Sequence, residues 1–338
     1  MASIDRTAYP RLGKRLCASE LQAQYAITDE EARLVRLATN GDSPRLTFLA
    51  LLKTRQHLGY FPNLLELPDQ IVQFLADCFG LPQTTPLLDA EIKKKTLFRY
   101  RAVIRSNVGG TVYGDDGDTL IEPVIRTAAL TMSDPADLIN VAIETLMQSN
   151  VELPAYSTLD RLVGHVRHQV HESLYHSITA GLSEAQGTRL DALLEVPPGE
   201  SISVIARLKE SPGPATPKHI RLWTDRMAEL DAILDPKPLL AGVAHTKIRQ
   251  FAAEAARLQL GDLRDLSQPG KRYTLILCLL FQAQATTRDE LAEMFLRRMR
   301  KTRYAAKEQL GCFGTTPKKV HFEDYVTYLS LTAPLTIS

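Results

Sequence analysis

Residues 91–105 read EIKKKTLFRYRAVIR, with six Lys or Arg against a single Glu. On a helical wheel Ile92, Leu97, Tyr100, Val103 and Ile104 share one face, while Lys94, Lys95, Arg99, Arg101 and Arg105 take the other with Phe98 among them. That spacing predicts a helix that docks an apolar side on a core and turns its charges outward. Cations gathered on one element suit neutralisation of a polyanion better than solubility, which intersperses both signs. A solvated basic face is the other reading of the same pattern.

Outward from this stretch, apolar residues keep the helical period almost throughout and alternating patterns are scarce, which predicts an all-α, multi-helical protein. Capping signals mark several helix starts: Thr28 before Asp29-Glu30-Glu31, Asp42 or Ser43 before Pro44, and Ser133-Asp134-Pro135. Gly109 to Gly117 reads as a loop or small hairpin that ends the basic helix. Ser157-Thr158-Leu159-Asp160 resembles a capping box that opens a helix to about Thr179. With the helix before it and the Pro154 turn between, this forms a helix-turn-helix-like unit. Leu67–Phe79, a turn with Pro82 and Pro86, and the basic helix repeat that arrangement.

A dense run of Pro and Gly between Glu195 and Pro217 predicts an irregular connection with a short extended piece at Ser201–Leu208. Helices follow at about Pro217–Leu234, Pro238–Leu258, Lys271–Gln284 and Thr287–Leu310. These divisions give a first helical module at 1–130, a second at 131–195, a connection at 196–216, a helical dimerisation or scaffold region at 217–310 and a divergent, poorly packed tail at 311–338.

The 338 residues exceed the usual single-domain size, and 44% hydrophobic content supports ordinary cores. A net charge of +1 means that any affinity for nucleic acid arises from local patches. Cys17, Cys78, Cys278 and Cys312 are too scattered to seed a zinc site and read as reduced thiols. The N-terminus lacks a signal-peptide core and the longest apolar run is Leu275–Phe281, so no membrane span and a cytoplasmic location are expected.

The helix from Ser157 sets Arg161, His165, His168, Gln169 and His176 opposite Leu162, Val163, Val166, Val170 and Leu174. Such donors and acceptors suit base edges and phosphates, and equally suit a solvated face. His165, His168, His171 and His176 are poorly spaced for a metal, and no acid or Cys completes a set, so no metal and no cofactor are expected. Asp115, Asp116 and Asp118 are the densest acids, adjacent groups that repel and face water. No catalytic motif is present, and no catalytic residue is assigned. Lys247 and Arg249 open an amphipathic helix that touches a backbone or simply packs in a bundle. Arg297, Arg298, Arg300, Lys301 and Arg303 place five cations in seven residues, fitting a phosphate contact or a charged interdomain helix.

The strings LTFLALLKTRQHLGYFP (46–62), SDPADLINVAIE (133–144), STLDRLVGHVRHQVHE (157–172), HTKIRQFAAEAA (245–256) and EMFLRRMRKT (293–302) resemble the N-terminal region of the large replicative transposases of the Tn-three family. The resemblance covers roughly residues 8–308. It implies two helical modules that bind double-stranded DNA at the terminal inverted repeats of a bacterial mobile element, followed by dimerisation or scaffold parts. In the family an RNase H-like domain with three metal-binding acids comes later. The pattern dissolves after Arg303, implying a chain that stops short of that domain, so none of those acids carries over and no strand-transfer enzyme is expected. Lys93, Lys94, Lys95, Arg99, Arg101 and Arg105 are then the expected phosphate contacts, joined by Lys247 and Arg249. Arg161, His165, Arg167, His168 and Gln169 are the expected contacts to base edges or nearby phosphates. The alternative is a helical interaction protein that self-associates or pairs with a full-length transposase and inhibits it.

Overall fold

A computed structural model describes residues 3–13, 16–89, 92–199, 201–209 and 213–312. Its described residues are built of helices and form two compact units, Met1–Ser177 with Gly242–Gln250, and Ile178–Ala241 with Phe251–Ser338. The expectation of an all-α, multi-helical protein is met. Glu91 and the tail from residue 313 lie outside the described residues.

The first unit begins with α1 (Ala18–Tyr25) and α2 (Asp29–Ala38). Thr28 caps α2 in a reciprocal box: its side chain accepts from the Glu31 amide while Glu31 accepts from the Thr28 amide. The axis of this part is α3 (Asp42–Leu58), which ends where Gly59 turns left-handed at φ 77°. Every residue from Leu46 to Arg55 is buried, because neighbouring helices pack around it. Lys53 sits among them by giving its ammonium to Glu31 at 2.8 Å, and Gln56 donates to the same carboxylate. Burial opposes ionisation of Glu31, but hydrogen bonds from Lys53, the Thr28 amide and Gln56 hold its pKa below the usual carboxylate value.

Against α3 lie α4 (Asp69–Phe79) and α5 (Lys94–Val108), the latter through Leu97, Tyr100 and Ile104. A second apolar cluster joins α6 (Asp115–Ala129), α7 (Pro135–Gln148) and α8 (Tyr156–Ala180). Pro135 opens α7 as the Ser-Asp-Pro signal predicts, but the cap is Asp134, which accepts from the Ala136 amide, and not Ser133.

Two expectations fail here. The Gly-rich loop stops at Gly114, so Asp116 and Asp118 belong to the first turn of α6, where acids complement the helix dipole. Tyr113 donates to Asp118. Ser157 is no cap: α8 starts one residue earlier, with the Thr158 amide already bonded to Ala155 O. Segments 109–113 and 150–153 meet in a parallel bridge between Thr111 and Val151, extended by the Leu153 amide donating to Gly59 O.

The second unit contains α9 (Glu184–Ala192), α10 (Val204–Arg207), α11 (Pro217–Ile233), part of α12 (His245–Arg257), α13 (Leu260–Arg264) and α14 (Pro269–Cys312). The extended piece expected at Ser201–Leu208 is instead a helical turn, because Ser203 caps it through the Ala206 amide. The helix expected from Pro238 begins at His245. The two last helices are one of 44 residues. Gln284, at the expected break, is buried and donates to Leu230 O and Leu234 O at 3.0 and 3.1 Å, tying α14 to the end of α11.

Candidate nucleic-acid interface

Helix α5 carries its cations at an unusual place. Lys93 is its N-cap and Lys94 and Lys95 follow, with no acid in the first turn. The N-terminus of a helix is the positive end of its dipole and presents unpaired amides, so cations there cost stability and an anion gains it. All three lysines and Arg99 are exposed. Phe98 is 72% exposed among them.

Ile92, expected on the apolar face, precedes the helix and is 73% exposed. Arg101 and Arg105 are half-buried, their guanidinium carbons 5.6 and 5.1 Å from the Phe61 ring centroid. Arg105 also donates through Nε to Glu152 at 2.8 Å. It is thus tied to the protein interior, whereas the lysine side chains are exposed.

On α8 the wheel reading holds for the apolar side, with Val163, Val166 and Val170 buried and Leu162 and Leu174 half-buried against the same cluster, and for Arg161, His165 and His168, which are exposed. Arg167 and Gln169 are half-buried. Arg126 of α6, which sequence reasoning missed, donates to Gln169 Oε1 at 2.6 Å, and Gln169 Nε2 lies 2.8 Å from His165 Nε2. Arg126 also pairs with Glu122 at 2.7 Å. Nothing local in the sequence joins Arg126 to a residue 43 positions away. Beside the start of α8 a groove of about 590 Å³ is lined by Pro135, Tyr156, Thr158, Arg161, Gly164 and Arg167.

Lys247 does not reach the surface. It is fully buried, with Nζ 3.3 Å from His171 Nε2 and donating to Gln250 Oε1 at 3.1 Å. Burial first, and the positive charge of Arg167 second, bring its pKa down to about 8. A phosphate contact by Lys247 is therefore withdrawn, whereas Arg249 is exposed. Among the described residues no three His, Cys, Asp or Glu side chains converge to hold a metal ion. No described helix is long and apolar enough to cross a membrane.

The geometry is that of a helical protein presenting one helix with a cationic start and another with a ring of donors and acceptors. A family model described as a domain of unknown function, DUF4158, matches residues 1–166. The transposase for transposon Tn501 of Pseudomonas aeruginosa is 24% identical over 279 residues, covering 81% of this chain and 28% of that protein. The transposase for transposon Tn1546 of Enterococcus faecium is 21% identical over 253 residues, 74% of this chain and 25% of that protein. The transposase for transposon gamma-delta of Escherichia coli (strain K12) is 23% identical over 268 residues, 78% of this chain and 26% of that protein. The chain is thus a relative of the Tn-three-family transposases, and it spans about a quarter of the length of these curated relatives.

Proposed function

We propose that the first unit binds double-stranded DNA at the terminal inverted repeats of a mobile element, in a bacterial cytoplasm. The observation that carries this reading is the exposed cluster of Lys93, Lys94 and Lys95 at the N-terminus of α5, where their mutual repulsion and the helix dipole favour an anionic ligand. Similarity to transposases makes DNA the natural anion. The three lysines and Arg99 engage phosphates, with Arg101 contributing from its edge position and Arg249 a further cation of the same unit. Arg161, His165, His168 and Gln169 reach base edges or neighbouring phosphates from α8 in the manner of a helix-turn-helix reader, flanked by Arg167. Strand cleavage and joining form no part of this role.

Labelled duplexes carrying the element's end and a scrambled control, titrated at several salt concentrations, test the reading. Tighter binding to the end is expected, with affinity falling steeply as salt rises. Equal binding to both duplexes removes sequence recognition, and no binding at low salt removes DNA altogether.

A further inference from the structure

The second unit carries a basic surface that the role proposed above does not use. From Phe295 to Glu308 every side chain of α14 except Met299 and Ala306 is exposed. Arg297, Arg298, Arg300, Lys301, Arg303 and Lys307 stand on this stretch, with Glu308 the one acid inside it. Arg297 pairs with Glu293 at 2.5 Å, both well exposed, a contact of small worth in water. Among the described residues, Arg298, Arg300, Lys301 and Arg303 make no ion pair.

At 3.6 residues per turn, Phe295, Met299, Thr302 and Ala306 fall on one narrow line, and the five Arg and Lys of 297–303 spread round the rest of the circumference. Leu296 and Tyr304 stand exposed among them at 53% and 73%. The apolar line alone would suit a second copy of the same helix. A second copy would bring an equally cationic helix alongside, and like charges flanking such a seam oppose pairing. An extended polyanion is the better match: phosphates take the cations of the side that meets it, and the long Arg stems and the Tyr ring lie along the sugars.

We propose that Phe295–Glu308 of α14 is a sequence-independent contact for the backbone of duplex DNA, separate from the helices that choose the site. This rests on the reading that the chain binds DNA and extends it to the second unit. The full chain and a variant with Arg297, Arg298, Arg300, Lys301 and Arg303 all changed to Gln are titrated with end and scrambled duplexes over a salt series. The variant is expected to weaken binding to both duplexes alike, with the slope of log affinity against log salt shallower by about 3 and the ratio between duplexes unchanged. A second variant with the four Arg changed to Lys keeps the charge and should keep the slope, which separates charge from helix integrity. An unchanged slope in the Gln variant overturns the proposal while leaving the first unit's role standing. Loss of self-association in the Gln variant with DNA binding intact overturns it too. Failure of the unaltered chain to bind either duplex overturns both readings.

Discussion

Arg105 and Glu152 are 47 residues apart in sequence and joined at 2.8 Å, with side chains 20% and 14% exposed. The pair ties the last turn of α5 to the segment that leads into α8, alongside the Thr111–Val151 bridge that joins the same two stretches. Arg55 lies in the same field: burial lowers its pKa, Glu152 raises it and Arg105 lowers it.

Glu152→Ala therefore leaves two guanidinium groups facing each other without their carboxylate. Urea unfolding should register a loss of about 2 to 4 kcal/mol, because breaking a buried pair strands the remaining charge. Arg105→Ala should likewise lower stability while leaving the salt dependence of DNA binding close to that of the unaltered chain. A large change of salt slope with intact stability would contradict the structural role of Arg105.

Gly110 sits at φ 107°, and a Cβ there would come within 2.8 Å of Asn150 O. That oxygen accepts the Thr111 amide in the bridge, so it has no freedom to move away. Gly110→Ala should cost about 1 to 3 kcal/mol in denaturant unfolding, whereas Gly114→Ala, with nothing within 4 Å of its added carbon, should cost much less.

Lys247 gives the stability a pH dependence of definite sign. Its folded pKa, about 8, lies below the ordinary 10.5, so the unfolded chain holds more protons between these values. Stability contributed through this group is lowest below pH 8 and rises as pH climbs toward 10.5. Burial raises the Cys278 thiol to about 12, and that group opposes the trend at the upper end of the window. The difference between the unaltered chain and Lys247→Met isolates the lysine. Urea unfolding from pH 7 to 10 should show Lys247→Met gaining relative stability at pH 7 and losing that advantage at pH 10. A pH-independent difference would mean that Lys247 titrates normally.

Gln169 holds both ends of the chain that links Arg126 to His165. Gln169→Ala should weaken binding to the end duplex by about 1 to 3 kcal/mol through lost orientation of the reading face. Binding to the scrambled duplex and the salt slope should stay as they were. An equal loss on both duplexes would identify the chain as structural support only.

Local chemistry made much of the fold legible in the sequence. The cap at Thr28 and the Pro135 start of α7 depend on atoms within three residues, and the apolar spacing of α5 and α8 is visible in a single helical wheel. Readings that depended on distant partners failed. A helix is expected to start at Thr287, yet Thr287 is 2% exposed and Gln284 anchors the same stretch to α11, so the backbone runs on without a break. Lys247 looked like a surface cation because nothing near it in sequence reveals His171, 76 positions earlier, folded against it. Arg126 escaped notice for the same reason.

The bridge between Thr111 and Val151 makes the α6–α7 hairpin leave and rejoin the chain at one point. Its two helices are held by the core they share with α8, but its tip at Leu130–Ser133 can be lengthened without moving the place where the chain re-enters α8.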